Sequence, residues 1–178
     1  MGIGFNIKES SLINGIWEVK PNVSNDVRGN IWTNFIKSEI SKLVNDDSEF
    51  IHDKFSLSKK NVLRGIHGDS KTWKLVTCVY GEVFQVAVDC RPNSSTYGKY
   101  HSFNMCHDSP LSVLMSPMIG NSYYVKSKYA VYHYKLAYSG SYIDADKQFS
   151  YKWDDPKFNI KWPTNDPLLS QREKFIIR

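Results

Sequence analysis

The sequence predicts an all-β protein of the sandwich or jelly-roll type, and three observations carry that expectation. Short runs rich in Val, Tyr and Phe recur along the chain, bounded by Gly, Pro, Asn or Ser. Several of them alternate between two faces with the two-residue period of a pleated strand. Helical spacing is confined to two short stretches. With 41% hydrophobic, 14% aromatic and 23% charged residues, the composition supplies a core for one globular domain over residues 1–178 and excludes a disordered chain.

In chain order, residues 34–44 come first: Ile36, Ile40, Leu43 and Val44 fall on one stripe and predict a helix. Residues 62–67 read as a strand interrupted by Gly65, with Arg64 and His67 three positions apart. The runs 75–80 and 82–89 flank Gly81 and predict a hairpin. In the second run Phe84, Val86 and Val88 share one face, while Gln85 is a polar side chain on the face of Val83, Ala87 and Asp89. Further strands are predicted over 97–105, 111–115, 122–127 and 129–138, the last aligning Ala130, Tyr132, Tyr134, Leu136 and Tyr138. Residues 170–177 predict a terminal turn or helix. Jelly rolls commonly hold ligands between their sheets, which makes the interior the place to look for chemistry.

Charge narrows the partners. The 178 residues carry 23 basic and 18 acidic side chains, a formal charge of +5, and Lys59-Lys60 is the sole adjacent basic pair. That is no stripe for tracking nucleic acid, and a small anionic ligand suits it better. No window approaches 18 consecutive apolar residues and the N-terminus lacks a leader pattern, so no membrane association and a cytoplasmic location are expected. Cys78, Cys90 and Cys106 are odd in number and widely spaced, which predicts reduced thiols. The five histidines form no H-x-H or H-x-x-H pair, and neither a metal nor another cofactor is expected.

Taken alone, His67 reads as a half-buried strand histidine, and Tyr134 as a strand tyrosine that packs its ring and wets its hydroxyl. The chain as a whole, over about residues 20–175, resembles the dTDP-4-dehydrorhamnose 3,5-epimerase family. The resemblance is carried in order by Asp26-Val27-Arg28-Gly29, Lys60-Asn61-Val62-Leu63-Arg64-Gly65-Ile66-His67, Trp73-Lys74-Leu75-Val76 and Gly81-Glu82-Val83-Phe84-Gln85-Val86-Ala87-Val88-Asp89-Cys90-Arg91. It continues through Ser95-Thr96-Tyr97-Gly98, Tyr134-Lys135, Trp153-Asp154-Asp155-Pro156 and Ile160-Lys161-Trp162-Pro163.

The resemblance implies a cupin-type jelly roll that works as a homodimer on a nucleotide-diphosphate 4-keto sugar. It implies His67 as the base that removes a proton beside the ketone, Tyr134 as the proton donor on the other face, and Lys74 as the cation facing the keto oxygen. Arg28 and Arg64 match positions that bind the diphosphate, for which guanidinium forks are suited. Without the resemblance, Lys74 would read as a solvated strand lysine and Arg28 as a surface charge after a turn. Trp153, Asp154, Asp155, Trp162 and Pro163 are assigned to packing and turns.

Four departures modify these expectations. Where the family has Gly-Phe-Ala-His-Gly-Phe, this chain reads Met118-Ile119-Gly120-Asn121-Ser122-Tyr123, so Asn121 replaces a second histidine. Gln85 replaces the aspartate of Gly-Glu-Val-Phe-Asp-Val. Both amides are expected at the substrate, or bonded to one another, leaving proton transfer to His67 and Tyr134. Glu173 stands for an aspartate in Leu-Ser-x-Lys-Asp; it either orients His67 or forms a capping box with Ser170. The thymine-stacking tyrosine is missing from Leu136-Ala137-Tyr138-Ser139-Gly140, which opens other bases such as guanine and other sugars such as a heptose. The expected activity is epimerisation at C3, C5 or both, in capsular or other surface polysaccharide synthesis. The alternatives are a 3,4-ketoisomerase and a non-catalytic sugar-binding jelly roll.

Overall fold

A computed structural model describes residues 2–174. Six strands form one antiparallel sheet in the order β1 (Phe5–Glu9), β2 (Ile16–Pro21), β10 (Ser112–Met115), β7 (Trp73–Tyr80), β12 (Tyr129–Tyr138), β5 (Glu49–Lys59). Five form the second, in the order β13 (Phe149–Ser150), β6 (Leu63–Gly68), β11 (Ile119–Val125), β8 (Glu82–Asp89), β9 (Tyr100–Cys106). A separate hairpin joins β3 (Val23–Asp26) to β4 (Gly29–Trp32). This is the predicted all-β jelly roll, with two short α-helices, α1 (Lys37–Ile40) and α2 (Gln171–Lys174).

The sheets are held face to face by a core in which Ile16, Val76, Val113 and Tyr132 of the first meet Val83, Ala87, Met105 and Val125 of the second. Each fully buried aliphatic side chain there contributes about 1.5–3 kcal/mol. Val86 and Val88 lie on the other face of β8, under Phe158, Tyr151 and Trp162 of the C-terminal segment. Both faces of β8 are therefore covered, which explains a run with so few polar residues. Trp162 donates to the Trp153 carbonyl at 2.7 Å and meets Phe84 edge-on, the packing role expected of the tryptophans.

The expected hairpin around Gly81 is not formed. β7 pairs with β10 and β12, whereas β8 pairs with β11 and β9, so the chain crosses between sheets at Gly81. Gly81 has φ +81°, and a Cβ there would lie 2.2 Å from the Tyr129 carbonyl oxygen. Strand propensity and a turn residue specify two strands and a bend, but not which neighbours complete their hydrogen bonds.

The helix expected over 34–44 shortens to α1 and a 3-10 turn at Ser41–Leu43, with no side-chain cap at Ile36. Part of its stripe still faces the core: buried Ile40 and half-buried Leu43 and Val44 pack with Val19, Trp73 and Leu75. The strand expected from 97 starts at Tyr100 because 94–98 folds back on Asp89, and the one expected from 122 starts at Ile119. Of the expected terminal helix, only α2 falls within the described residues. β5 is not expected from the sequence, because an edge strand with exposed Ile51, Phe55 and Leu57 interleaved with polar residues has no clean alternation.

Candidate active site

A cavity of about 270 Å³ opens between the sheets. β5, β7 and β12 of the first sheet supply Lys54, Ser56, Lys74, Tyr134 and Leu136; β6 and β11 of the second supply Arg64, His67 and Asn121. Ser170, Arg172 and Glu173 close one side from the C-terminal segment. Among the described residues, four cationic side chains, Lys54, Arg64, Lys74 and Arg172, thus face a cavity lined by one carboxylate, Glu173. No local sequence motif distinguishes Lys54, Ser56, Tyr142, Gln148 and Arg172, which only the fold brings to the cavity.

Arg64 and His67 share the cavity despite an odd spacing that places residues of a regular strand on opposite faces. β6 uses three steps, Arg64 to His67, against two on β11, Tyr123 to Asn121, and this bulge reverses the parity. Gly65 sits in the bulge at φ +113°, where a Cβ would lie 2.6 Å from that of Ser122. Arg64 Nε donates to Ser58 Oγ at 3.0 Å, which orients the guanidinium and leaves its Nη groups for a ligand.

The Glu173 carboxylate reaches both His67 and Ser170, because it has two oxygens. Oε1 lies 3.3 Å from His67 Nε2, while Oε2 accepts from the Ser170 backbone N–H at 2.8 Å and from the Ser170 hydroxyl. Burial pushes the Glu173 pKa up, but the hydrogen bonds from His67 and Ser170 outweigh it and hold the group at about 2. An ionised Glu173 only accepts, so it keeps a proton on His67 Nε2 and leaves the lone pair on Nδ1, which meets Ser150 Oγ at 2.9 Å.

Lys74 is buried, with its ammonium 3.5 Å from Asp69 Oδ2 and 3.4 Å from the Thr72 carbonyl. Burial lowers its pKa, and the Asp69 charge opposes that fall. Tyr134 is pushed well above the ordinary tyrosine value by burial and by Tyr123, against the pull of Arg64 and Ser56, so its phenol keeps its proton. The two amides are bonded to one another: Gln85 Nε2 donates to Asn121 Oδ1 at 2.7 Å. Asn121 lines the cavity, whereas Gln85 is fully buried behind it.

Arg28 is not brought to this cavity. It sits at the turn between β3 and β4, with its side chain 86% exposed and bonded to Asp26. At the cavity mouth, Tyr142 presents a ring packed edge-on against His52 at 4.9 Å, so an aromatic face is present although the residues after Tyr134 lack the family's tyrosine. Among the described residues no cluster of three or more His, Cys, Asp or Glu side chains is grouped as a metal site requires, and no helix is long and apolar enough to cross a membrane.

Comparison with known proteins connects this geometry to a family. The family model described as dTDP-4-dehydrorhamnose 3,5-epimerase matches residues 10–177. A dTDP-4-dehydrorhamnose 3,5-epimerase of Shigella flexneri is 33% identical over 157 residues, covering 86% of this chain and 85% of its own. A dTDP-4-dehydrorhamnose 3-epimerase of Streptomyces niveus is 33% identical over 168 residues, covering 91% and 78%. Among solved structures, the dTDP-6-deoxy-D-glucose-3,5-epimerase of Legionella pneumophila Philadelphia 1, in complex with dTDP-4-keto-L-rhamnose, superposes with a TM-score of 0.87 at 30% identity, covering 96% of this chain and 90% of that one.

Proposed function

We propose, since the chain belongs to the dTDP-4-dehydrorhamnose 3,5-epimerase family, that it inverts C3, C5 or both of a nucleotide-diphosphate 4-keto sugar. The observation that carries this reading is that His67 and Tyr134 face one cavity from opposite sheets, beside the buried ammonium of Lys74. Inversion needs removal of a proton from one face of a carbon and delivery to the other.

His67 Nδ1 takes the proton from the carbon next to the ketone, displacing the Ser150 hydroxyl, and Glu173 stabilises the imidazolium through Nε2. The electron pair moves onto the C4 oxygen, where Lys74 meets the enolate charge. Tyr134 then gives its proton to the opposite face, and the nearby Arg64 charge favours the resulting phenolate. Arg64 and Arg172 bind the diphosphate, and the Tyr142 ring supports the base. The reaction uses no metal or redox cofactor.

The sugar is a hexose or a heptose and the nucleotide dTDP or GDP, in a cytoplasmic step of capsular or other surface polysaccharide synthesis. The protein acts as a homodimer, with exposed Ile51, Phe55 and Leu57 of β5 as an apolar face for a second copy. The projecting β3–β4 hairpin carries Arg28 to the other subunit's cavity.

Incubating dTDP- and GDP-linked 4-keto sugars in deuterium oxide and reading the product by NMR tests the reaction. Label at C3 or C5 is expected; carbonyl migration would instead mean a ketoisomerase, and neither outcome a binder. His67→Asn should abolish exchange, while Tyr134→Phe should block inversion more than exchange, which needs only the first face.

A further inference from the structure

The part of the cavity wall formed by Asn121 carries no ionisable group, and the way it is held has a direction. Asn121 on β11 pairs in register with His67 on one side and Ala87 on the other. Behind it lie Gln85 and Tyr132, both fully buried, with Tyr132 reaching across from β12 in the opposite sheet.

A chain of obligate roles orients the amides. The Val86 carbonyl can only accept, so the end of Gln85 that lies 3.1 Å from it is Nε2. The same Nε2 lies 2.7 Å from Asn121 and donates, which assigns the facing atom to Oδ1. The Tyr132 hydroxyl donates to Gln85 Oε1 and lies 3.3 Å from that same Oδ1. Burial, with the neighbouring tyrosines and Cys78, pushes the Tyr132 pKa well above its ordinary value, so this donor keeps its proton. Asn121 Oδ1 is thereby turned inward and Nδ2 toward the cavity, where no acceptor among the described residues meets it.

We infer that Tyr132 and Gln85 are positioning residues that hold Asn121 as a fixed, neutral hydrogen-bond donor to an oxygen of the bound sugar. The identity of that ligand rests on the reaction proposed above. An amide N–H binds more strongly as the oxygen gains negative charge but does not surrender its proton. The Asn121 wall therefore selects an acceptor oxygen and takes no part in proton transfer. The three residues act together: without Tyr132, Gln85 Oε1 loses its donor, and without Gln85, Asn121 Oδ1 loses its donor at 2.7 Å and keeps only the Tyr132 hydroxyl at 3.3 Å.

NMR of the full ¹⁵N-labelled chain tests both halves. In the free protein, the Gln85 side-chain N–H protons should exchange at least about tenfold more slowly than in Tyr132→Phe, which keeps the ring and loses the hydroxyl; equal rates overturn the positioning role. On adding dTDP-glucose, then GDP-mannose, the Asn121 Nδ2 signals should shift together with those of His67. A shift at His67 alone overturns the inference and leaves the proposed reaction standing, whereas no shift at either overturns the donor role together with that reaction. In turnover, Tyr132→Phe should lower kcat about tenfold with KM within about twofold and an unchanged pH profile. Asn121→His should add an inflection near pH 6.5, the ordinary imidazole value. Unchanged kcat in Tyr132→Phe overturns the inference.

Discussion

Two buried aspartates, Asp89 and Asp69, stand in contrasting surroundings. Asp89 is fully buried and accepts from the Arg91 N–H and guanidinium at 2.8–3.0 Å and from the Ser94 and Thr96 hydroxyls at 2.6 Å. Asp69, 3% exposed, accepts from the Lys71 and Thr72 N–H groups through Oδ1 alone. Among the described residues its Oδ2 has no hydrogen bond and meets the Lys74 ammonium at 3.5 Å, and the buried Thr72 hydroxyl is likewise without a partner. A fully satisfied carboxylate is a device for folding a loop; an under-satisfied one beside a cavity holds a charge ready for use.

The largest expected effect breaks the functional half of this contrast. Lys74→Met should lower turnover by about 10²–10³-fold, the scale of a lost oxyanion donor, in the deuterium-exchange assay. Asp89→Asn should instead cost about 3 kcal/mol of stability in urea unfolding and leave kcat of the folded enzyme within about twofold. Burial raises the Asp89 pKa, but its donors outweigh that and hold it at about 2. Because the folded value lies below the unfolded one, this stabilisation is complete above about pH 4 and lost as pH falls toward 2. The wild type should therefore lose about 2 kcal/mol across that window relative to Asp89→Asn. The smallest effect sharpens the other half: Asp69→Asn removes the charge that supports protonated Lys74. The alkaline limb of the rate profile should move to lower pH, because the lowering of the Lys74 pKa by burial then loses its main opposition.

Legibility from the sequence followed the range of the interactions. β8 and β12 match the runs read at 82–89 and 129–138 because β-branched and aromatic residues declare themselves locally. The partnership of β7 and β8 did not, since each strand takes its hydrogen bonds from segments far along the chain. His67, Lys74, Arg64, Tyr134, Asn121 and Glu173 were named from motifs and do line one cavity. Arg28 was named on the same grounds and lies elsewhere, because a motif records residue type and not position.

The amino-acid order by itself determined the strand-rich character, the inward row Ala130, Tyr132, Tyr134 and Leu136, and the replacement of two ionisable groups by amides at positions 85 and 121. Tertiary structure alone decided that a bulge would turn Arg64 and His67 to the same side, and that Glu173 would serve imidazole and helix cap together. It also decided that the Val86 carbonyl and a tyrosine from the opposite sheet would hold Gln85, and that Gln85 would in turn orient Asn121. The physical reason is that side-chain period and chemistry are properties of neighbouring residues. Hydrogen-bond direction and burial, in contrast, arise only when strands distant in sequence close around one space.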